Sequence, residues 1–223
     1  MWRVNRMDVQ PLIKVCGVTR TPDVALAIAA GATAVGINLW PDSPRSVSFD
    51  VAETLVTSIA DRCQTVAVVV DPDARLLNEV HQRLRPTWVQ IHGENKDLQE
   101  ALSFLHEVEQ RYYFAVGLRE ARHVEIALRA PGSYVLVDAR DDVLRGGTGL
   151  APPSGLAAQV AAQRRTILAG GLGPANVAEA IRCVRPAGVD AASGLESSPG
   201  IKDPSKVEAF VAGALETFAA LND

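Results

Sequence analysis

The feature that most constrains the fold is a regular alternation of short apolar runs with helical segments. The apolar runs lie at 12–16, 34–38, 66–70, 88–91, 113–116, 134–137, 166–169 and 188–192. Helical patterns follow them, the first ending near Gly31 and the others at 50–61, 73–85, 96–110, 120–130, 154–163, 174–184 and 204–220. Alternation without hairpin signals predicts an α/β protein, a closed (β/α)₈ TIM barrel. We expect one domain over residues 1–223, with residues 1–10 as a short N-terminal extension.

Composition narrows the class of protein. With 223 residues and 48% hydrophobic content, the chain can bury one sizeable core. The formal charge of -4 and the absence of a long Lys/Arg run argue against a nucleic-acid partner. No apolar run has the length of a signal peptide core or a membrane span, so we expect a cytoplasmic protein with no membrane partner. Cys16, Cys63 and Cys183 lack the spacing of a zinc site or redox pair.

The ends of the predicted strands indicate where chemistry takes place, because barrel active sites lie at the C-terminal mouth. Side chains two apart on a strand share a face, so Lys14 and Cys16 should both point into the barrel. A buried ammonium needs a partner, and Asp190 on the closing strand is the best candidate. We expect Asp71 to cap the helix that follows it. The strand ends that supply this mouth are Cys16, Asn38, Asp71, His92, Asp138, Gly170 and Ser193.

Three successive strands, the sixth to the eighth, run into loops of small residues. Gly146, Gly147 and Gly149 follow the sixth strand, Gly170-Gly171 the seventh, and Ser193-Gly194 the eighth. Glycines allow the backbone to approach a ligand closely, and loop N–H groups bind phosphate. The sequence therefore predicts a phosphate site on this wall of the mouth.

Six motifs in the same order resemble those of the phosphoribosylanthranilate isomerase family. They are Lys14-Val15-Cys16-Gly17-Val18-Thr19, Ser43-Pro44-Arg45, Val89-Gln90-Ile91-His92-Gly93, Asp138 with Gly146-Gly147-Thr148-Gly149, Leu168-Ala169-Gly170-Gly171-Leu172 with Asn176-Val177, and Asp190-Ala191-Ala192-Ser193-Gly194-Leu195-Glu196 with Pro199-Gly200-Ile201-Lys202-Asp203.

The resemblance implies a reaction of tryptophan biosynthesis, the Amadori rearrangement of N-(5'-phosphoribosyl)anthranilate, with no cofactor and no metal. It implies that Cys16 is the general base, Asp138 the general acid and Arg45 the residue at the anthranilate end. We expect His92 and Gly149 to contact substrate as well. The phosphate would bind Gly170, Gly171, Ser193 and Gly194, and the partner would be this small molecule alone, bound by a monomer or homodimer.

Two other functions are open on sequence alone. A metal-dependent sugar-phosphate isomerase or epimerase would need several ligands at the mouth, yet of four histidines only His92 ends a strand. A barrel that has lost catalysis could bind a phosphorylated metabolite. The feature that favours it is Leu150-Ala151-Pro152-Pro153-Ser154, where the family usually has Phe-Asp-Trp.

Overall fold

The computed structural model describes residues 10–93, 98–138 and 154–221. The predicted N-terminal extension, apart from Gln10, lies outside the described residues, as does the loop that contains Gly146, Gly147 and Gly149. The barrel strands are Leu12–Cys16 (β1), Ala34–Asn38 (β2), Gln64–Val70 (β3), Trp88–His92 (β4), Tyr112–Gly117 (β5), Val135–Asp138 (β6), Thr166–Ala169 (β7) and Gly188–Ala191 (β8). The helices are Thr21–Ala30 (α1), Phe49–Ile59 (α2), Ala74–Leu84 (α3), Leu98–Glu107 (α4), Arg122–Arg129 (α5), Ser154–Ala161 (α6), Val177–Val184 (α7) and Pro204–Ala220 (α8).

Within the described residues, strands β1 to β8 form a closed barrel in chain order, and β8 pairs with β1. Every pairing between neighbouring barrel strands is parallel, as required when a helix connects each strand to the next. In this register Lys14 lies opposite Asp190 on β8. On its other side β1 places Cys16 opposite Gly36. The predicted (β/α)₈ barrel is confirmed.

The core has two layers, which the alternation of side chains along each strand separates. Ile13 and Val15 belong to the layer between the sheet and the helices. Leu12 and Cys16 belong to the layer inside the barrel. The predicted strand parity of β1 is therefore confirmed, and Lys14, on the same face as Leu12 and Cys16, is fully buried.

Aromatic rings fill the barrel near the end at which its strands begin, opposite the mouth. Trp88 contacts Tyr134 edge to face, with ring centroids 5.3 Å apart, and Tyr113 at 5.9 Å. The Arg111 guanidinium lies 3.8 Å from the centroid of the Trp88 ring, and that of Arg165 lies 4.4 Å from the Tyr134 centroid. Such stacking adds to the stability that burial of the rings already gives. These five residues form an aromatic floor below the mouth.

Beyond β8 the chain forms a segment that the sequence analysis did not predict. A short 3₁₀ turn, Ser193–Leu195, leads into Glu196–Ser198 (β9), which pairs antiparallel with Ile201–Lys202 (β10). Gly200 forms the turn with φ +80°, and its carbonyl accepts a hydrogen bond from Thr19 Oγ1 at 2.6 Å. This β9–β10 hairpin is thereby tied to the loop after β1.

Several helix boundaries differ from the prediction for local reasons. Helix α2 ends at Ile59 rather than near 61, because Ala60 and Asp61 both have positive φ. Asp71 does not cap α3: the Asp73 side chain does so, accepting a hydrogen bond from the Leu76 N–H at 2.7 Å. Among the described helices, none is long and apolar enough to pass through a bilayer.

Candidate active site

Cys16 lies at the mouth end of β1, with 9% of its surface exposed. Lys14 Nζ lies 2.8 Å from Asp190 Oδ1, so the predicted pair is confirmed, although the alignment is that of an ion pair and not of a hydrogen bond. Gly36 makes room for this arrangement. A Cβ at that position would lie 2.8 Å from Cys16 Sγ and 2.9 Å from Lys14 Cε.

Burial and neighbouring charges oppose each other at these groups. Burial raises the pKa of the Cys16 thiol, Asp190 raises it further, and Lys14 and Lys202 act in the opposite direction. The net effect is upward, so the lowering by Lys14 is present but outweighed. Burial alone would lower the pKa of the Lys14 ammonium, yet the Asp190 carboxylate more than offsets it and the pKa is raised. Lys14 is therefore charged at neutral pH.

Asp138 ends β6, three strands around the barrel from β1, and is half-buried. Its carbonyl accepts a hydrogen bond from the Leu118 N–H at 2.9 Å, which fixes the backbone at the strand end. The negative charge of Asp138 acts on the pKa of His92, so the two side chains share one electrostatic environment. The structure thus brings Asp138 and His92 to the same mouth.

His92 is connected to the interior through Gln90. A 2.6 Å hydrogen bond joins Gln90 Nε2 and His92 Nε2, and the Tyr113 hydroxyl donates to Gln90 Oε1 at 3.0 Å. Burial lowers the pKa of His92, and the Lys14 charge lowers it further. The imidazole is therefore neutral near pH 7. A neutral ring held in this way is suited to hydrogen bonding with a ligand.

Arg45 lies in the loop after β2, and this loop is anchored by polar contacts. The Ser43 hydroxyl accepts hydrogen bonds from Asn38 Nδ2 at 3.2 Å and from the Arg45 N–H at 3.1 Å. The Arg45 side chain crosses Gly17, where a Cβ would lie 2.5 Å from Arg45 Cδ. Gly17 also has φ +70°, so this position requires glycine twice over. Arg45 is thereby placed over the residue that follows Cys16.

The predicted phosphate wall is built from the ends of β7 and β8. Gly170 and Gly171 have φ +100° and +66°, and a Cβ on Gly171 would meet no atom within 4 Å. Gly194 packs so tightly that a Cβ would lie 2.1 Å from the Leu172 carbonyl oxygen. The structure places Gly170, Gly171 and Gly194 on one wall with Ser193, which starts the 3₁₀ turn. Gly149 lies outside the described residues.

Sequence reasoning missed three polar residues that shape this mouth. Asn176 holds the loop after β7 through two hydrogen bonds, one from Gly173 N–H at 2.9 Å and one to the Gly171 carbonyl at 3.2 Å. Glu196 accepts hydrogen bonds from Arg45, and Lys202 contacts Glu196. All three residues belong to the motifs quoted above. Their position close to glycines in those motifs is the feature of the sequence that could have identified them.

Neither of the other two cysteines lies in this site. Cys63 is buried, its thiol donates to the Ala32 carbonyl at 3.3 Å, and burial raises its pKa to about 12. Cys183 is exposed on α7. In the part of the chain that the structure describes, no group of three or more His, Cys, Asp or Glu side chains could hold a metal ion.

The comparisons with known proteins agree on one family. The sequence profile described as N-(5'phosphoribosyl)anthranilate (PRA) isomerase matches residues 13–213. The N-(5'-phosphoribosyl)anthranilate isomerase of Pelobacter propionicus is 37% identical over 205 residues, which cover 92% of this chain and 96% of that protein.

Solved structures give the same result. Monomers of the dimeric phosphoribosylanthranilate isomerase of Thermotoga maritima match with a TM-score of 0.80 and 28% identity, over 93% of this chain and all of that one. A phosphoribosylanthranilate isomerase in complex with reduced 1-(o-carboxyphenylamino)-1-deoxyribulose 5-phosphate matches with a TM-score of 0.77 and 28% identity, over 93% and 100% of the two chains. The chain belongs to the N-(5'-phosphoribosyl)anthranilate isomerase family.

Proposed function

We propose that this barrel converts N-(5'-phosphoribosyl)anthranilate into 1-(2-carboxyphenylamino)-1-deoxyribulose 5-phosphate, a step of tryptophan biosynthesis. The observation that carries the proposal is the placement of a thiol and a carboxyl group, Cys16 and Asp138, at one mouth that also has a wall of glycine loops. Membership of the isomerase family supports it. Among the described residues, no observation favours a lapsed barrel or a metal-dependent epimerase.

Asp138 acts first, as general acid. It donates a proton to the ring oxygen of the ribosyl group while the bond between that oxygen and C1 breaks, the electron pair going to the oxygen. The lone pair of the anthranilate nitrogen forms a C1=N bond, which gives an open-chain iminium ion. A carboxyl group at a partly desolvated strand end is suited to this role.

Cys16 acts second, as general base. The thiolate removes the proton from C2, and the C–H electron pair forms C1=C2 while the C=N pair returns to nitrogen. The resulting enol-amine becomes the ketone when C1 gains a proton and the C2 hydroxyl loses one. Because the raised pKa leaves little thiolate at neutral pH, the charges of Lys14 and Lys202 matter by opposing that rise.

The two ends of the substrate bind on different walls. Gly170, Gly171, Ser193 and Gly194 would donate backbone N–H groups to the 5'-phosphate, together with Gly149 from the loop after β6. Arg45 would bind the anthranilate carboxylate, since a guanidinium fork matches a carboxylate in shape and charge. Neutral His92 would hydrogen-bond a ribosyl hydroxyl.

A turnover assay with N-(5'-phosphoribosyl)anthranilate tests the proposal, with a metal chelator as control. We expect turnover that the chelator does not change. Cys16→Ala and Asp138→Asn should each lower kcat by about 10²–10⁴-fold while the circular dichroism spectrum stays that of the folded protein. Near-normal turnover by Cys16→Ala would assign the base to another group, with His92 or Asp71 next to be tested.

The setting of the enzyme follows from the same chemistry. Cys16 must stay reduced to act as a base, which supports a reducing compartment, the cytoplasm. Only the small phosphoribosyl substrate is needed as partner, and no nucleic acid. The dimeric Thermotoga maritima relative supports a homodimer, and the monomers described for it support a monomer as the other state.

A further inference from the structure

Glu196 and Arg45 form a two-point ion pair between the segments that follow β8 and β2, the two strands that flank β1. Glu196 Oε1 accepts a hydrogen bond from Arg45 Nε at 2.7 Å, and Oε2 accepts one from Arg45 Nη2, also at 2.7 Å. The residues are 151 positions apart in sequence, one in the loop after β2 and the other at the start of β9. A pair of this geometry fixes the plane of the guanidinium as well as its position.

The Arg45 guanidinium has a second edge that Glu196 does not occupy. Glu196 occupies Nε and one N–H of Nη2, so the edge formed by Nη1 and the other N–H of Nη2 has no hydrogen-bond partner among the described residues. About a fifth of the side chain, 21%, is exposed, whereas Glu196 has only 5% exposed. A carboxylate can therefore bind the open edge while Glu196 holds the other.

Glu196 is itself held from behind. Lys202 Nζ lies 3.0 Å from Glu196 Oε1, and its side chain has no exposed surface. The Gly200 N–H donates to the same oxygen at 3.3 Å, and Lys206 Nζ donates to the Glu196 carbonyl at 2.7 Å. Burial favours the protonated acid, but the hydrogen bonds from Arg45 and Lys202 hold the pKa of Glu196 below its ordinary value. It is therefore a fixed anion.

The charges of this cluster are incomplete. Arg45 and Lys202 carry two positive charges against the single negative charge of Glu196, and Lys206 adds a third positive charge at the Glu196 carbonyl, so a carboxylate from a ligand would reduce the excess of positive charge. Buried or partly buried charges are stable when they are paired, and the open edge of Arg45 is where such a carboxylate fits.

We propose that Glu196 is a positioning residue that sets the Arg45 guanidinium to receive the aryl carboxylate of the substrate. This inference rests on the proposed role of Arg45. Glu196 would thereby make the enzyme select a substrate whose aryl amine carries a carboxylate over one that lacks it. A merely structural role, tying the β9–β10 hairpin to the loop after β2, would instead affect all substrates alike.

The test compares two substrates, N-(5'-phosphoribosyl)anthranilate and N-(5'-phosphoribosyl)aniline, which lacks the carboxylate. Glu196→Gln keeps the size of the side chain and one acceptor oxygen for Lys202 but loses the charge. We expect KM for the anthranilate substrate to rise about tenfold or more, as for a weakened charge-assisted hydrogen bond, with kcat changing much less. KM for the aniline substrate should stay unchanged.

A matched control is Glu53→Gln in α2. It removes a carboxylate from Arg83 of α3, outside the barrel strands, and should change neither KM. In an Arg45→Met background, Glu196→Gln should have no further effect on the ratio of the two KM values. Glu196→Asp retains the charge for Lys202 but is one methylene shorter. If Glu196→Gln does not fold, this variant replaces it, with the same loss of selectivity expected.

The outcomes separate the two proposals. If Arg45→Met leaves the preference for the carboxylated substrate intact, the role of Arg45 is wrong and that of Glu196 falls with it, whereas the isomerase activity itself still stands. If Arg45→Met abolishes the preference but Glu196→Gln raises both KM values equally or neither, Glu196 is structural and the inference is overturned.

Discussion

Gly36 lies opposite Cys16 in the register between β1 and β2, and it leaves no space for a methyl group beside the Cys16 sulfur, 2.8 Å from the ideal Cβ position. Both Cys16 Sγ and Lys14 Cε would have to move to admit one. A small residue on one strand thus determines where the proposed base and its cation lie on the next.

Gly36→Ala should therefore lower kcat by more than a loss of folded protein alone would explain. Displacing the thiol by about 1 Å can cost about 10²-fold in rate, and overpacking typically costs about 1–3 kcal/mol in the free energy of unfolding. The control is Gly155→Ala in α6, where the new Cβ meets no atom within 4 Å. Steady-state kinetics and urea unfolding measure both; equal kcat in Gly36→Ala and the control would refute the role of Gly36.

Asp190→Ala should destabilise the protein by about 3–5 kcal/mol, because it leaves the Lys14 ammonium buried without a counter-charge. The pKa of Lys14 is raised above its ordinary value of 10.5, so its contribution is fully present below that pH and is lost only in more alkaline solution. In Asp190→Ala, burial acts on Lys14 without its main counter-charge and lowers its pKa, so the loss relative to wild type in urea unfolding should be at least as large at about pH 6 as at about pH 9. A cost below about 1 kcal/mol, the range of exposed pairs, would contradict this account.

Alkylation should report the raised pKa of the Cys16 thiol directly. The experiment uses the Cys183→Ser variant, since Cys183 is exposed, whereas Cys63 is buried with a pKa of about 12. The reaction of Cys16 with iodoacetamide should accelerate with pH to beyond the ordinary thiol value of 9.0, because only the thiolate reacts. A plateau reached near neutral pH would show that Lys14 and Lys202 outweigh burial after all.

Arg45→Lys should raise KM with little change in kcat. Lysine keeps the charge but cannot bind Glu196 through two nitrogens and a second carboxylate through the opposite edge. The lost interaction with the carboxylate is equally strong in the ground state and the transition state. Its loss therefore raises KM and leaves kcat unchanged. Initial-rate measurements over a range of substrate concentrations decide it, and an unchanged KM would count against the proposed role.

Asn176→Ala should weaken phosphate binding without touching the acid or base. The side chain holds Gly171 and Gly173 through its amide, so its loss frees the loop after β7. We expect the inhibition constant for inorganic phosphate to rise about tenfold, as for a lost supporting residue around a binding site. Soaked phosphate or sulfate should bind at this wall in wild-type crystals; binding elsewhere in the mouth would overturn the assignment.

The barrel and much of its mouth could be predicted from sequence because local patterns determine them. Apolar runs of fixed length gave the strands, and the two-residue period put Lys14 and Cys16 on the inner face and so led to Asp190. These inferences depend on residues close together in sequence or on the closure of the barrel, and both are strongly constrained.

What could not be predicted depends on distant contacts and on burial. The bond between Arg45 and Glu196 spans 151 residues, and the strands of the β9–β10 hairpin are too short to show an apolar period. The direction of the Cys16 pKa required the depth of the thiol, which outweighs the nearby ammonium. Asp71 and Asp73 both precede α3 as possible caps, and only the backbone geometry distinguishes them.

The aromatic floor has a consequence for the order of events during turnover. Among the described residues, Trp88, Tyr113 and Tyr134 pack against one another inside the barrel beneath the mouth, each almost wholly buried, and together they close its base. Substrate must enter, and product must leave, through the same opening. The product should consequently act as a competitive inhibitor against substrate, and its departure should set an upper limit on the turnover rate.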